Sequence, residues 1–118
     1  MRILIAALGV VMLAGCASVG DTRSNPALLV LQSSKQPKQA AECIRDAWQN
    51  TTVLGASVGG VLQSSGERYS VLAPDVQAPL HLVDITPTPG GSRISYHFYR
   101  TWQSPLERVP DAVRSCAG

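Results

Sequence analysis

Three cysteines, two histidines and one glycine-serine stretch are the residues of this 118-residue chain whose types and spacing could do chemistry. Cys16 follows Leu13-Ala14-Gly15 at the end of an apolar run, where small residues suit a peptidase. Cys43 and Cys116 stand far from it and from each other. His81 and His97 lie at mirrored positions about Pro89. A hairpin register pairing residues whose numbers sum to an even value would put both imidazoles on one face, as a metal pair. Matching the apolar faces favours an odd sum and opposite faces. A third or fourth ligand at motif spacing is missing, so neither a metal nor a cofactor is expected. Gly55-Ala56-Ser57-Val58-Gly59 fits the Gly-x-Ser-x-Gly pattern of a nucleophile elbow. That elbow needs a parallel sheet, for which a chain this short has little room. A phosphate loop fails on the same stretch, because no Lys-Ser/Thr follows it. The 8 acidic residues are scattered singly, unlike the paired carboxylates of glycosidic chemistry. No catalytic residue is assigned, and the expectation is a protein that is not an enzyme.

The N-terminus carries the most specific pattern. Arg2 supplies one positive charge, and Ile3 to Leu13 is then uncharged and almost wholly apolar. That order is the order of a secretory signal. The run is about half the roughly 20 residues a bilayer-spanning helix needs. Leu13-Ala14-Gly15-Cys16 resembles the lipobox of bacterial lipoproteins. The resemblance implies cleavage before Cys16, a diacylglyceryl group on its sulfur and acylation of the new amine. One acyl chain binds membranes marginally; two or more hold firmly, at about 0.8 kcal/mol per buried CH₂. Ala17 stands where an Asp tends to retain such proteins in the inner membrane, so the implied location is the outer membrane, facing the periplasm. The expected organisation is a signal peptide at 1–15, an acylated N-terminus and tether at 16–36, and a single small α+β domain at 37–118.

Removing residues 1–15 leaves about 100 residues, one domain by length. The formal charge of +2 falls by the one charge of Arg2, to +1. Such a balance offers no basic footprint for nucleic acid. The expected partners are the membrane, through the lipid on Cys16, and an envelope protein. An exported chain meets an oxidising compartment, where the remaining two cysteines are expected to bond, Cys43 to Cys116. Closing a loop of about 70 residues is worth roughly 4 kcal/mol in the chain-entropy model.

Ala17 to Pro26 is small, polar and unpatterned, as in a tether. Ala27-Leu28-Leu29-Val30-Leu31 interrupts it. Such a run packs on the domain as a short helix or edge strand, or serves as an exposed patch for a partner. Pro37 to Gln49 reads as a helix, with Pro37 at the first position and Ala40, Cys43, Ile44, Ala47 and Trp48 on one face. Thr52 to Leu62 is a Gly-rich bend or bulge, Arg68 to Ala73 a strand. Leu80 to Thr86 and Ser92 to Thr101 form a hairpin about Pro87-Thr88-Pro89-Gly90-Gly91. Val83 and Ile85 then share a face with Ile94, Tyr96 and Phe98, while Asp84 and Arg93 fall opposite, close enough to pair. Ser104 to Cys116 reads as a short helix interrupted at Pro110. The expected fold class is α+β, a small antiparallel sheet of three to four strands with an N-terminal and a C-terminal helix joined by the disulfide. Trp48 and Tyr96 read as core. Leu28, Leu29, Leu31, Tyr99 and Trp102 form the candidate interaction surface.

Past the lipobox, the chain resembles a group of small Gram-negative lipoproteins. The residues carrying the resemblance are Glu42-Cys43-Ile44 with Trp48, Tyr69-Ser70-Val71, Asp84-Ile85, Gly90-Gly91-Ser92 with Tyr96, and Val113-Arg114-Ser115-Cys116. These motifs are structural, and the resemblance carries no activity across.

Overall fold

Two long strands form the centre of the molecule. In a computed structural model that describes residues 18–118, β6 (His81–Thr88) and β7 (Gly91–Phe98) pair as an antiparallel hairpin. The elements before them are helix α1 (Ser18–Ser24), β1 (Leu29–Ser33), helix α2 (Pro37–Gln49), a short ribbon of β2 (Thr52–Val53) and β3 (Ala56–Ser57), β4 (Val61–Ser65) and β5 (Arg68–Ala73). Helix α3 (Arg108–Ser115) follows. The main sheet is antiparallel, in the order β1-β7-β6-β5-β4. The α+β class and the disulfide are as expected. The strand number is not: the sheet has five strands, with the two-stranded ribbon apart, and the described residues form three helices.

The register follows from the apolar alternation. His81 lies opposite Phe98 and Ile85 opposite Ile94, an odd-sum pairing. A shift of one residue would put Val83 and Ile85 on the face opposite Ile94 and Tyr96, so the pattern itself excludes it. The turn is tighter than expected, because Pro87 and Thr88 still pair with Ser92 and Gly91 and only Pro89 and Gly90 lie between the strands. Helix α2 covers this face of the sheet. Its Ala40, Ala41, Ile44 and Trp48 are fully buried against Val71, Val83, Ile85 and Tyr96 in one core. Helix α3 packs on α2 and adds Val109 and Val113. The Cys43–Cys116 bond joins α2 to the residue that ends α3, with Cα atoms 5.8 Å apart. Lys35 Nζ donates to the Cys116 carbonyl at 2.9 Å, placing a cation at the negative end of α3.

Residues 18–36 are not a tether. Leu29 to Ser33 is the edge strand beside β7, with Leu29 and Leu31 turned toward the core. Small polar residues at 18–24 form α1 on the opposite face of the sheet. Thr22 Oγ1 donates to the Pro79 carbonyl at 2.8 Å, and Arg23 grips Asp84 with Nε at 2.9 Å and Nη2 at 3.2 Å. Asp84 therefore pairs with Arg23 and not with Arg93, which is exposed opposite Thr86. A third hydrogen bond comes from Ser70 Oγ at 2.6 Å. Burial pulls the Asp84 carboxyl upward, but the hydrogen bonds from Arg23 and Ser70 and the charges of Arg23 and Arg68 outweigh it and hold it below its ordinary 3.8. Leu72 and Leu82 point to this same face and are fully buried, so the sheet is covered on both sides.

Gly91 is the tightest point of the edge. Its φ is +150°, and a Cβ there would strike the Ser33 carbonyl oxygen and come within 2.8 Å of Ser34 Cα. Gly91→Ala is expected to cost about 1–3 kcal/mol, with amide exchange in β1 accelerating first. Urea unfolding and hydrogen exchange read this; an unchanged midpoint with unchanged β1 protection would show that the edge yields freely.

Candidate functional site

The ends of three strands and two loops meet at one corner. β5 finishes at Ala73, β6 begins at His81 and β7 finishes at Phe98, so antiparallel pairing brings all three to the same end of the sheet. The β2–β3 ribbon closes one side. Its turn is Leu54-Gly55, both with positive φ (+52° and +82°), which holds the Leu54 side chain out in solvent. The chain from Tyr99 to Glu107 closes the other side and leads into α3. Between them is an open cleft of about 440 Å³. Val53, Leu54, Val58, Leu80, Phe98, Pro105, Leu106 and Val109 give it apolar walls, with Arg100, Gln103 and Ser104 as polar groups.

His81 is one lining residue, only 8% exposed. Its ring stacks on Phe98 at 5.2 Å and on Tyr96 at 6.0 Å, and Trp48 meets it at 5.8 Å. His81 Nδ1 and the Tyr96 hydroxyl share a hydrogen bond of 2.8 Å. Trp48 Nε1 donates to the Val109 carbonyl at 3.0 Å, tying the aromatic cluster to α3. Burial lowers His81 from 6.5 to about 4 and pushes the Tyr96 hydroxyl up, so both groups are neutral at pH 7. Among the lining residues only His81 and Arg100 carry ionisable groups. The cleft is suited to taking an apolar body and orienting it by a few polar contacts.

The candidates named from sequence are distributed as follows. Cys16 and the signal segment lie outside the described residues. Cys43 and Cys116 are bonded to each other. Leu29 and Leu31 face the core, which removes them from the interaction surface. Leu28 and Trp102 are brought together: both line a second depression of about 450 Å³, on the other side of the 100–104 segment from the cleft. Tyr99 lines a third depression beside Pro79 and Arg100. Trp48 and Tyr96 are fully buried core. His81 and His97 lie on opposite faces, His97 sharing a 2.8 Å hydrogen bond with the Asn25 carbonyl. Among the described residues no cluster of three or more His, Cys, Asp or Glu could hold a metal. Ser57 is not at an elbow; it ends β3, its Oγ donating to the Gln49 carbonyl at 2.7 Å and accepting from the Gly59 amide at 3.1 Å.

Sequence reasoning missed the cleft itself. Leu54 reads as an apolar residue of the Gly-rich bend and Leu106 as part of the apolar face of the C-terminal helix, but the helix begins only at Arg108 and leaves Leu106 on the cleft wall. Their only warning was a large apolar side chain beside turn chemistry, Leu54-Gly55 and Pro105-Leu106. No protein-family model, no curated protein and no solved structure matches this chain.

Proposed function

We propose that this protein is a lipid-anchored component of the bacterial envelope that acts by binding, and that the cleft under the 99–107 segment receives an apolar segment of an envelope protein. The observation that supports a binding role most directly is the cleft's chemistry: apolar walls, a neutral buried imidazole, and one arginine. The anchor rests on Leu13-Ala14-Gly15-Cys16, and the outer-membrane address on Ala17. A second reading, a site for a small apolar ligand, is favoured by the preformed floor of His81 and Phe98, packed from behind by Tyr96.

A photo-crosslinking residue at position 106, introduced in living cells, tests both readings. A single reproducible envelope protein among the captures supports the first. A captured lipid or metabolite with no protein supports the second. Absence of any adduct, at normal abundance, argues against the cleft as a binding site. In parallel, Cys16→Ser is expected to abolish lipid labelling and leave the precursor uncut; normal labelling in that variant would overturn the anchor.

A further inference from the structure

We propose that the corner formed by Leu28, Tyr99, Arg100 and Trp102 rests on the membrane surface to which the chain is anchored, so that the domain is seated on the bilayer and not suspended from it. The inference depends on Cys16 being the lipid attachment, and the test below separates the two.

Thr22 is fixed at this corner by its hydrogen bond to the Pro79 carbonyl, and Pro79 lines a depression shared with Tyr99 and Arg100. Asn25, just after α1, donates through Nδ2 to the carbonyls of Phe98 at 3.0 Å and Tyr99 at 2.7 Å. The Arg23–Asp84 pair prevents α1 from swinging away. From Thr22 back to Ser18 is four helical residues, about 6 Å of rise. From Ser18 to Cys16 is two residues, at most about 7 Å. The Cys16 Cα would therefore lie within about 13 Å of Thr22, with the acyl chains entering the bilayer beside it. That is close to the depth of the headgroup region plus a single side chain, so this corner cannot stand far from the lipid surface.

The side chains at the corner fit that surface. Trp102 is 77% exposed, Leu28 57% and Tyr99 50%, a concentration of apolar and aromatic area in a chain with only two tryptophans. Trp and Tyr favour the membrane–water interface, where the ring is buried and the polar tip stays wet. The Arg100 guanidinium lies 5.6 Å over the Trp102 ring and hydrogen-bonds Gln103 Oε1 at 3.1 Å, with no carboxylate in ion-pair range among the described residues. The nearest acid in sequence, Glu107, faces Arg114 at 3.8 Å. Arg100 is thus available to lipid phosphates while its stem and Trp102 enter the interface.

The two tryptophans make the test direct, because Trp48 is fully buried and Trp102 is not. The full-length acylated protein is reconstituted into phosphatidylethanolamine–phosphatidylglycerol vesicles whose acyl chains carry bromine near the headgroup. Expected are flotation with the vesicles, a blue shift of the exposed tryptophan emission, and bromine quenching that is lost in Trp102→Phe. Flotation with Trp102 unshifted and unquenched would overturn the docking while leaving the anchor intact; the corner would then face a protein. Failure to float would overturn the anchor, and the docking with it.

Discussion

Replacing Cys43 and Cys116 together with alanine is expected to lower the unfolding free energy by about 4 kcal/mol. The bond spans a sequence separation of 73, and its loss returns that loop to the unfolded ensemble. A domain of this size has only about 5–15 kcal/mol in total, so the variant sits near the edge of folding. The position makes the effect local as well as global. Helix α3 is short and contributes Val109 and Val113 to the core, with further ties from Trp48 Nε1 to the Val109 carbonyl, Lys35 Nζ to the Cys116 carbonyl and Arg108 to the Thr52 carbonyl. Without the bond, α3 is expected to fray first and open the cleft wall at Leu106 and Val109. Urea unfolding followed by tryptophan emission measures the global term, and amide exchange in 108–115 measures the local one. A loss below about 1 kcal/mol would mean that packing alone holds α3 on α2.

Acid is expected to begin weakening the fold near pH 6.5, before carboxylates titrate, through His81. Its ordinary value is 6.5 and burial lowers it to about 4 in the folded protein. Between those values the unfolded chain takes up a proton that the native imidazole refuses. Stability from this residue is therefore fully present above pH 6.5, falls as pH drops toward 4, and levels off below that. The interval corresponds to roughly 3 kcal/mol. His81→Gln keeps a partner for the Tyr96 hydroxyl and removes the titration, so its stability should decline much less between pH 6.5 and 4.5. Parallel slopes for the wild type and the variant would show that the native ring accepts its proton without cost. Asp84 contributes separately and lower, since its carboxyl is held below 3.8 and its ion pair with Arg23 is lost only as pH falls beneath that value.

Much of the fold was legible because it is local. Pro37 and the spacing of Ala40, Ile44 and Trp48 specify α2 without reference to anything else. Arg68 to Ala73 is the strand its alternation describes. The β6–β7 register, and with it the separation of His81 from His97, follows from matching two apolar faces across one turn. The misreadings are all non-local. Residues 18–24 carry no apolar stripe, so nothing in them announces a helix; Arg23 and Thr22 find their partners 61 and 57 positions away. Hairpin spacing offers Arg93 to Asp84 on the shared face, but α1 covers that face and brings Arg23 to the carboxylate instead. The Leu28 to Leu31 run does pack as an edge strand, one of the placements its composition allows, and strand geometry sends Leu29 and Leu31 inward and leaves Leu28 and Val30 exposed.

The sequence by itself determined the helix, the hairpin and the inward face of each, all fixed by side-chain periodicity, while the Cys43–Cys116 pairing was expected from the oxidising compartment an exported chain meets. Only the tertiary structure decided that β1 completes the sheet beside β7, that an Arg23–Asp84 pair fastens α1 across the sheet's second face, and that three strand ends and the 99–107 segment enclose a cleft over His81. The physical reason is common to all three. They depend on which surfaces remain uncovered once the central hairpin and α2 have packed, and that is a property of the assembled shape, not of any window of the chain.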